Sequence, residues 1–162
     1  MTTAISDIRT VPVGEDLTKA ESRLEVLRGM EKMYRVDKPY ATGQGFGLGE
    51  WAVLGADGKV SRATSTPAKA TYLVFGGTDR FDAKATGQVT LVMASQIMAK
   101  TSVYNSALSY AVGDYLTVKD LGAGESRLTK HGANEVAVAK VVEVGSDYLV
   151  YETMSPAHVV PA

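Results

Sequence analysis

The sequence contains no cysteine, which excludes a disulfide framework and any thiolate metal site and fits a chain made in a reducing compartment. Only two histidines occur, His131 and His158. An imidazole-based metal site or a catalytic triad would have to recruit one of them or rely on carboxylates alone. Charge of one sign is also missing: 17 basic residues against 18 acidic ones give a formal net charge of −1. A protein that wraps nucleic acid neutralises phosphates with a basic surplus, and this chain has none. No apolar run approaches the roughly 20 residues of a membrane-spanning helix. The opening MTTAISDIRTVPVGEDLTK has neither the basic nor the apolar region of a secretory signal. The expectation is a soluble, unexported protein with neither nucleic acid nor membrane as a direct partner.

What is present is apolar and unevenly charged. Hydrophobic residues make up 45% of the 162 positions, enough for a core of useful size. Residues 1–38 hold seven basic and seven acidic side chains, leaving 21 charges for the other 124 residues. The body therefore presents Ala, Thr, Ser, Gly and Val, a surface suited to packing against neighbours as well as to facing water.

Residues 1–29 read as an N-terminal arm. Ile5, Ile8, Val11 and Val13 are scattered among polar residues, and Pro12 and Gly14 block a helix. Residues 17–33 carry two patterns. Leu17, Ala20, Leu24 and Leu27 recur at helical spacing with a Thr18/Glu21 capping box, whereas RLEVL alternates as a strand would. The balance falls to a short helix or irregular arm entering a strand near Met30–Val36. From Trp51 onward short β-branched or aromatic segments follow one another. EWAVL and KVSRA flank Asp57-Gly58, a hairpin signal; TYLVF, QVTLVM, DYLTV, SRLTK, EVAVAKVVEV and DYLVYE come after. In EVAVAKVVEV both alternating faces are apolar, so this strand is expected to be buried on both sides. Eight or nine such strands predict an all-β fold, a small barrel or sandwich over residues 30–155, with the extended arm before it and room for one short helix. Residues 156–162 read as an irregular tail, and no internal repeat stands out.

No motif assembles chemistry. GQGFGLGEW (43–51) fits no dinucleotide fingerprint in either frame, and Gly58-Lys59 is followed by Val60, which excludes a phosphate-binding P-loop. The glycines instead mark a place where backbone approaches backbone. In TDRFD (78–82), Asp79 and Asp82 are too few for a calcium loop. His131 in KHGANE and His158 in SPAHVVPA read as surface groups. Trp51 and the tyrosines could form a stacking platform for sugars, but Tyr72, Tyr115, Tyr148 and Tyr151 fall in or beside strands, where packing is the ordinary role. The expectation is a protein with no catalytic, metal or cofactor residues.

Several segments, in order, resemble the head decoration, or capsid cement, proteins of tailed bacteriophages. They are GEWAVLGADGKVSRA, YLVFGGTDRFDAKATGQVTLVMA, AKTSVYNSALSYAVGDYLTVKD and EVAVAKVVEVGSDYLVYE, together spanning roughly residues 30–152. The resemblance implies a non-enzymatic virion protein, made in the host cytoplasm, that binds the outer surface of the expanded capsid and clamps neighbouring major capsid subunits. It also implies a homo-oligomer, a trimer in preference to a dimer. The arm, with Ile5, Ile8, Val11 and Val13 as anchors, is the expected capsid or inter-subunit contact, ordering as it adds a strand to a neighbour's edge. The alternative is a carbohydrate- or receptor-binding β-module that stacks its ligand on Trp51 and exposed tyrosines.

Overall fold

A computed structural model describes residues 23–29, 31, 33–40, 46–63, 71–76, 88–94, 96–120 and 126–159. Eleven strands are its regular elements: β1 (Glu25–Arg28), β2 (Tyr34–Pro39), β3 (Trp51–Leu54), β4 (Val60–Arg62), β5 (Thr71–Gly76), β6 (Gln88–Ala94), β7 (Met98–Thr101), β8 (Tyr115–Asp120), β9 (Ser126–Lys130), β10 (Val136–Val144) and β11 (Leu149–Val159). The fold is all-β, as its alternating segments and Asp-Gly turn predict. Residues 25–28, where helical and strand patterns competed, are a strand, and β1 pairs antiparallel with β7.

Two antiparallel sheets form, ordered β2-β6-β5-β3-β4 and β1-β7-β11-β10-β8-β9. Both curl until their ends meet. Five strands in a ring cannot be antiparallel at every seam, because alternating directions around an odd ring must repeat once. The parallel seams are Tyr40–Val60 between the end of β2 and β4, and Tyr104–Leu128 between the continuation of β7 and β9. At the second seam Asn105 N–H donates to Leu128 O at 2.7 Å and Leu128 N–H to Val103 O at 3.3 Å. β2–β6 thus make a first barrel and β7–β11 a second, with β1 added to the edge of β7.

The two barrels have one topology. Replacing β2, β3, β4, β5 and β6 by β7, β8, β9, β10 and β11 converts one ring order into the other. Registers match as well. Ala52 opposes Arg62 as Leu116 opposes Lys130, and Ala52 opposes Tyr72 as Leu116 opposes Ala139. Val74 opposes Leu91 as Val141 opposes Tyr151, and a bulge follows each valine. A repeat invisible in the order of strand-like segments is present at every seam.

The cores repeat too. Phe46, Ala52, Val60, Val74, Val89 and Leu91 fill the first barrel. Their counterparts Leu116, Leu128, Val141, Leu149 and Tyr151 lie in the core of the second, with Tyr110, the counterpart of Phe46, packed against it. Each fully buried Val, Leu or Phe among them contributes about 1.5–3 kcal/mol by leaving water. The outer face of the first barrel is buried as well: Trp51, Leu73 and Val92 join the second barrel's core. The Trp51 and Tyr151 ring centroids are 6.2 Å apart. Burial on both faces explains why WAVL, TYLVF and QVTLVM are nearly continuous apolar runs rather than alternating ones.

Two expectations need correction. Residues 156–159 are not an irregular tail, since β11 continues to Val159, which pairs with Val136. Between Thr153↔Ala139 and His158↔Ala137 the register slips, and Pro156, which has no N–H for a ladder, falls in that bulge. Nor is EVAVAKVVEV buried throughout. Val136 to Ala139 and Val141 are buried, whereas residues 142–144, beyond the bulge, are exposed.

Candidate functional site

The duplicated fold repeats one constellation of side chains at a corner of each barrel. In the first, Tyr40 meets Phe46 edge to face with centroids 5.8 Å apart. In the second, Tyr104 meets Tyr110 in the same way at 5.7 Å. A cation from the third strand of each barrel sits over the second ring, Arg62 over Phe46 at 5.7 Å and Lys130 over Tyr110 at 5.8 Å. Three residues after the ring comes a glycine with positive φ, Gly49 at 86° and Gly113 at 97°. An acid follows it, Glu50 or Asp114, whose carboxylate accepts the N–H three residues upstream: Gly47 to Glu50 Oε2 at 2.5 Å, Ala111 to Asp114 Oδ2 at 2.9 Å. The same cations pair with these acids, Arg62 Nε with Glu50 at 2.8 Å and Lys130 Nζ with Asp114 at 3.4 Å. Each glycine then donates to, and each acid accepts from, one valine of the fourth strand, Val74 or Val141.

Burial separates the corners. Glu50 is fully buried and receives a third donor from the other barrel, Ser126 N–H at 2.9 Å to Oε1. Ser126 Oγ in turn donates to Ala63 O. A desolvated carboxylate survives only when its lone pairs are all met, and here two barrels supply the donors. Glu50 is therefore a fastener between them. Asp114 and Lys130 are 29% and 46% exposed, so their pair is an ordinary surface contact.

The glycine-rich stretch can be read from this corner. Its donors are committed inward: Gly47 N–H meets the chain's own carboxylate, where a phosphate-binding turn would offer it to a ligand. Gly49 allows close approach, because a Cβ there would stand 2.8 Å from Arg23 O. The segment at Arg23 is tied down from both sides. Arg23 Nε donates to Leu48 O at 2.8 Å, and Thr101 Oγ1 donates to Arg23 O at 2.6 Å.

The other chemistry-bearing residues have structural engagements. His131 Nε2 lies 2.7 Å from Glu135 O and its ring meets Tyr115 edge to face. Glu135 Oε1 accepts Gly132 N–H at 2.7 Å, and its other oxygen pairs with Lys119 at 2.8 Å. Together these close the β9–β10 turn. The backbone of His158 pairs with Ala137. Among the described residues no group of three or more His, Cys, Asp or Glu could hold a metal ion, and no helix is long and apolar enough to cross a membrane. Trp51, 2% exposed, is a core residue and cannot stack on a sugar. Ile5, Ile8, Val11, Val13, Asp79 and Asp82 lie outside the described residues.

Among the described residues, three buried side-chain polar atoms have no hydrogen-bond partner: Trp51 Nε1, Thr117 Oγ1 and Tyr151 OH. Burial pushes the Tyr151 phenol far above its ordinary range. Tyr151→Phe removes an unsatisfied hydroxyl and is expected to raise stability by about 1 kcal/mol. In alkali the gain widens, because the unfolded tyrosine releases its proton near pH ~10 while the folded one holds it. The wild type thus loses stability as pH rises past that point, and the variant lacks this contribution to the loss. Denaturant titrations at neutral and alkaline pH check both statements.

Outside the core, six large hydrophobic residues are exposed among those described, and four of them, Leu108, Val112, Val142 and Val144, belong to the second barrel. Gly113 N–H donates to Val141 O and Val141 N–H to Asp114 O, which sets Val112 beside Val142. No protein-family model, no curated protein and no solved structure matches the chain.

Proposed function

We propose that this chain is a structural virion protein that binds the outer surface of the expanded phage capsid and clamps neighbouring major capsid subunits. The observation that carries this reading is a barrel built twice and fastened by a buried carboxylate that accepts a backbone N–H from the other half. A body with two related halves suits a protein that bridges equivalent neighbours, and its one fully buried carboxylate among the described residues is spent on holding those halves together. The ordered resemblance of residues 30–152 to capsid cement proteins supports it further. Many copies, each adding a few kcal/mol, stabilise a shell by multivalency without one tight site.

Residues 1–20, with Ile5, Ile8, Val11 and Val13 as anchors, are assigned the contact with the shell. Co-sedimentation with undecorated expanded heads tests both parts. The full chain is expected to pellet with the heads. A chain lacking residues 1–20 is expected to stay in the supernatant while keeping the circular dichroism of the folded body. Unchanged pelleting of the shortened chain removes the arm from the account, and failure of the full chain to pellet removes the capsid.

A further inference from the structure

We propose that copies of this chain associate head to tail, the outer face of the second barrel docking on the first barrel of a neighbouring copy. The contact already exists inside one chain. There the first barrel buries Trp51, Leu73 and Val92 in the second barrel's core, with Leu48 and Phe75 packed at its margin. Ile97 and Ala99, at the start of the second barrel, belong to the same cluster.

The duplication places the apolar margin of the docking half and one residue of the receiving half on the surface a second time. The shared hydrogen bonds to Val74 and Val141 make Leu48 correspond to Val112 and Phe75 to Val142. Val112 is 70% exposed and Val142 37%, and the exposed Leu108 and Val144 extend the apolar surface. The receiving half is also open. Tyr34 and Ile97 precede the corresponding residues Arg35 and Met98, which pair with Val92 and Glu152, and a bulge sets Tyr34 apart from Arg35 in the first barrel. Ile97 is 1% exposed, but Tyr34 is 62% exposed. Among the described residues, each copy therefore has an exposed apolar margin on its second barrel and an exposed receiving residue on its first.

The centre of the unused face differs. Trp51, Leu73 and Val92 are replaced there by Tyr115, Lys140 and Glu152. Lys140 opposes Glu152 in register and stands 5.6 Å from the Tyr115 ring. A polar centre with an apolar margin makes the contact between chains weaker than the one within a chain. Because the two surfaces are unlike, the association is heterologous, closing into a ring or continuing as a filament. It involves only copies of this chain, so its test needs no capsid and its failure is separate from failure of the capsid reading.

Sedimentation velocity of the full chain over a concentration series is the test. The wild type is expected to associate, and Val112→Asp or Tyr34→Asp to weaken association by roughly thirtyfold or more, with circular dichroism and melting temperature unchanged. Mixing the two variants is expected to restore a complex of two copies, since each supplies the half that the other lacks. A wild type that stays monomeric at its highest soluble concentration overturns the proposal. So does an oligomer indifferent to Val112→Asp, or a mixture that stays monomeric. If a monomeric wild type loses attachment to heads on Val112→Asp, the patch belongs to the capsid contact instead.

Discussion

Glu50→Ala is expected to destabilise the protein by about 3–5 kcal/mol, the cost of removing one partner from a buried ion pair. Asp114→Ala, at the corresponding corner of the second barrel, is expected to cost less than about 1 kcal/mol. The two acids share their geometry, each accepting an upstream N–H and facing a cation from the third strand. They differ in burial and in what their loss leaves behind. Without Glu50 the Gly47 and Ser126 N–H groups lose a buried acceptor and the partly exposed Arg62 guanidinium loses its carboxylate. Without Asp114 the exposed Lys130 is rehydrated. A double variant, Glu50→Leu with Arg62→Met, should recover only part of the loss, because the two backbone donors stay unmet. Denaturant titration of the four proteins measures these differences. Equal losses at the two corners would show that Glu50 does not fasten the barrels.

Gly49→Ala is the second large effect, with Gly113→Ala as its internal control. Both glycines have positive φ, which costs a residue with a Cβ about 1–2 kcal/mol. At Gly113 nothing lies within 4 Å of the added carbon, so that cost is the whole expectation. At Gly49 the carbon would stand 2.8 Å from Arg23 O, a backbone atom held by Thr101 and followed by the buried Leu24. Relief requires moving the segment that leads into β1, and the expected loss is about 3 kcal/mol or more. Thermal melts of the two variants decide it, and equal shifts would contradict the packing at Arg23.

Local features carried much of the strand pattern into the sequence. Asp57-Gly58 marks the turn between β3 and β4, and Gly58 has the positive φ that turn needs. TYLVF, QVTLVM, DYLTV and SRLTK fall on β5, β6, β8 and β9. β7 is harder to see, because MAKT has one β-branched residue and a lysine. Its strand character comes from pairing with β1 and β11 on either side. Val142 and Val144 alternate as core residues would, but the slip after Val141 turns their stretch outward, and a bulge has no reliable local signature.

The repeat was in the sequence, though faintly. YATGQGFGLGEW and YNSALSYAVGDY align without a gap as Tyr, then Phe or Tyr, then Gly, an acid and an aromatic. Only Tyr40 with Tyr104 and Gly49 with Gly113 are identical there, so the pattern gains meaning when the structure gives each position its task. Which of two equivalent acids is buried depends on docking between barrels, a long-range fact that spacing cannot hold. Glu50 therefore reads in the sequence as an ordinary charged residue ahead of a strand.

Electron microscopy of undecorated expanded heads mixed with the purified chain tests the central claim most directly. The account predicts stoichiometric density on the outer surface, resolving at each site into two joined lobes of barrel size across neighbouring capsid subunits. Heads that remain bare at saturating protein would contradict it.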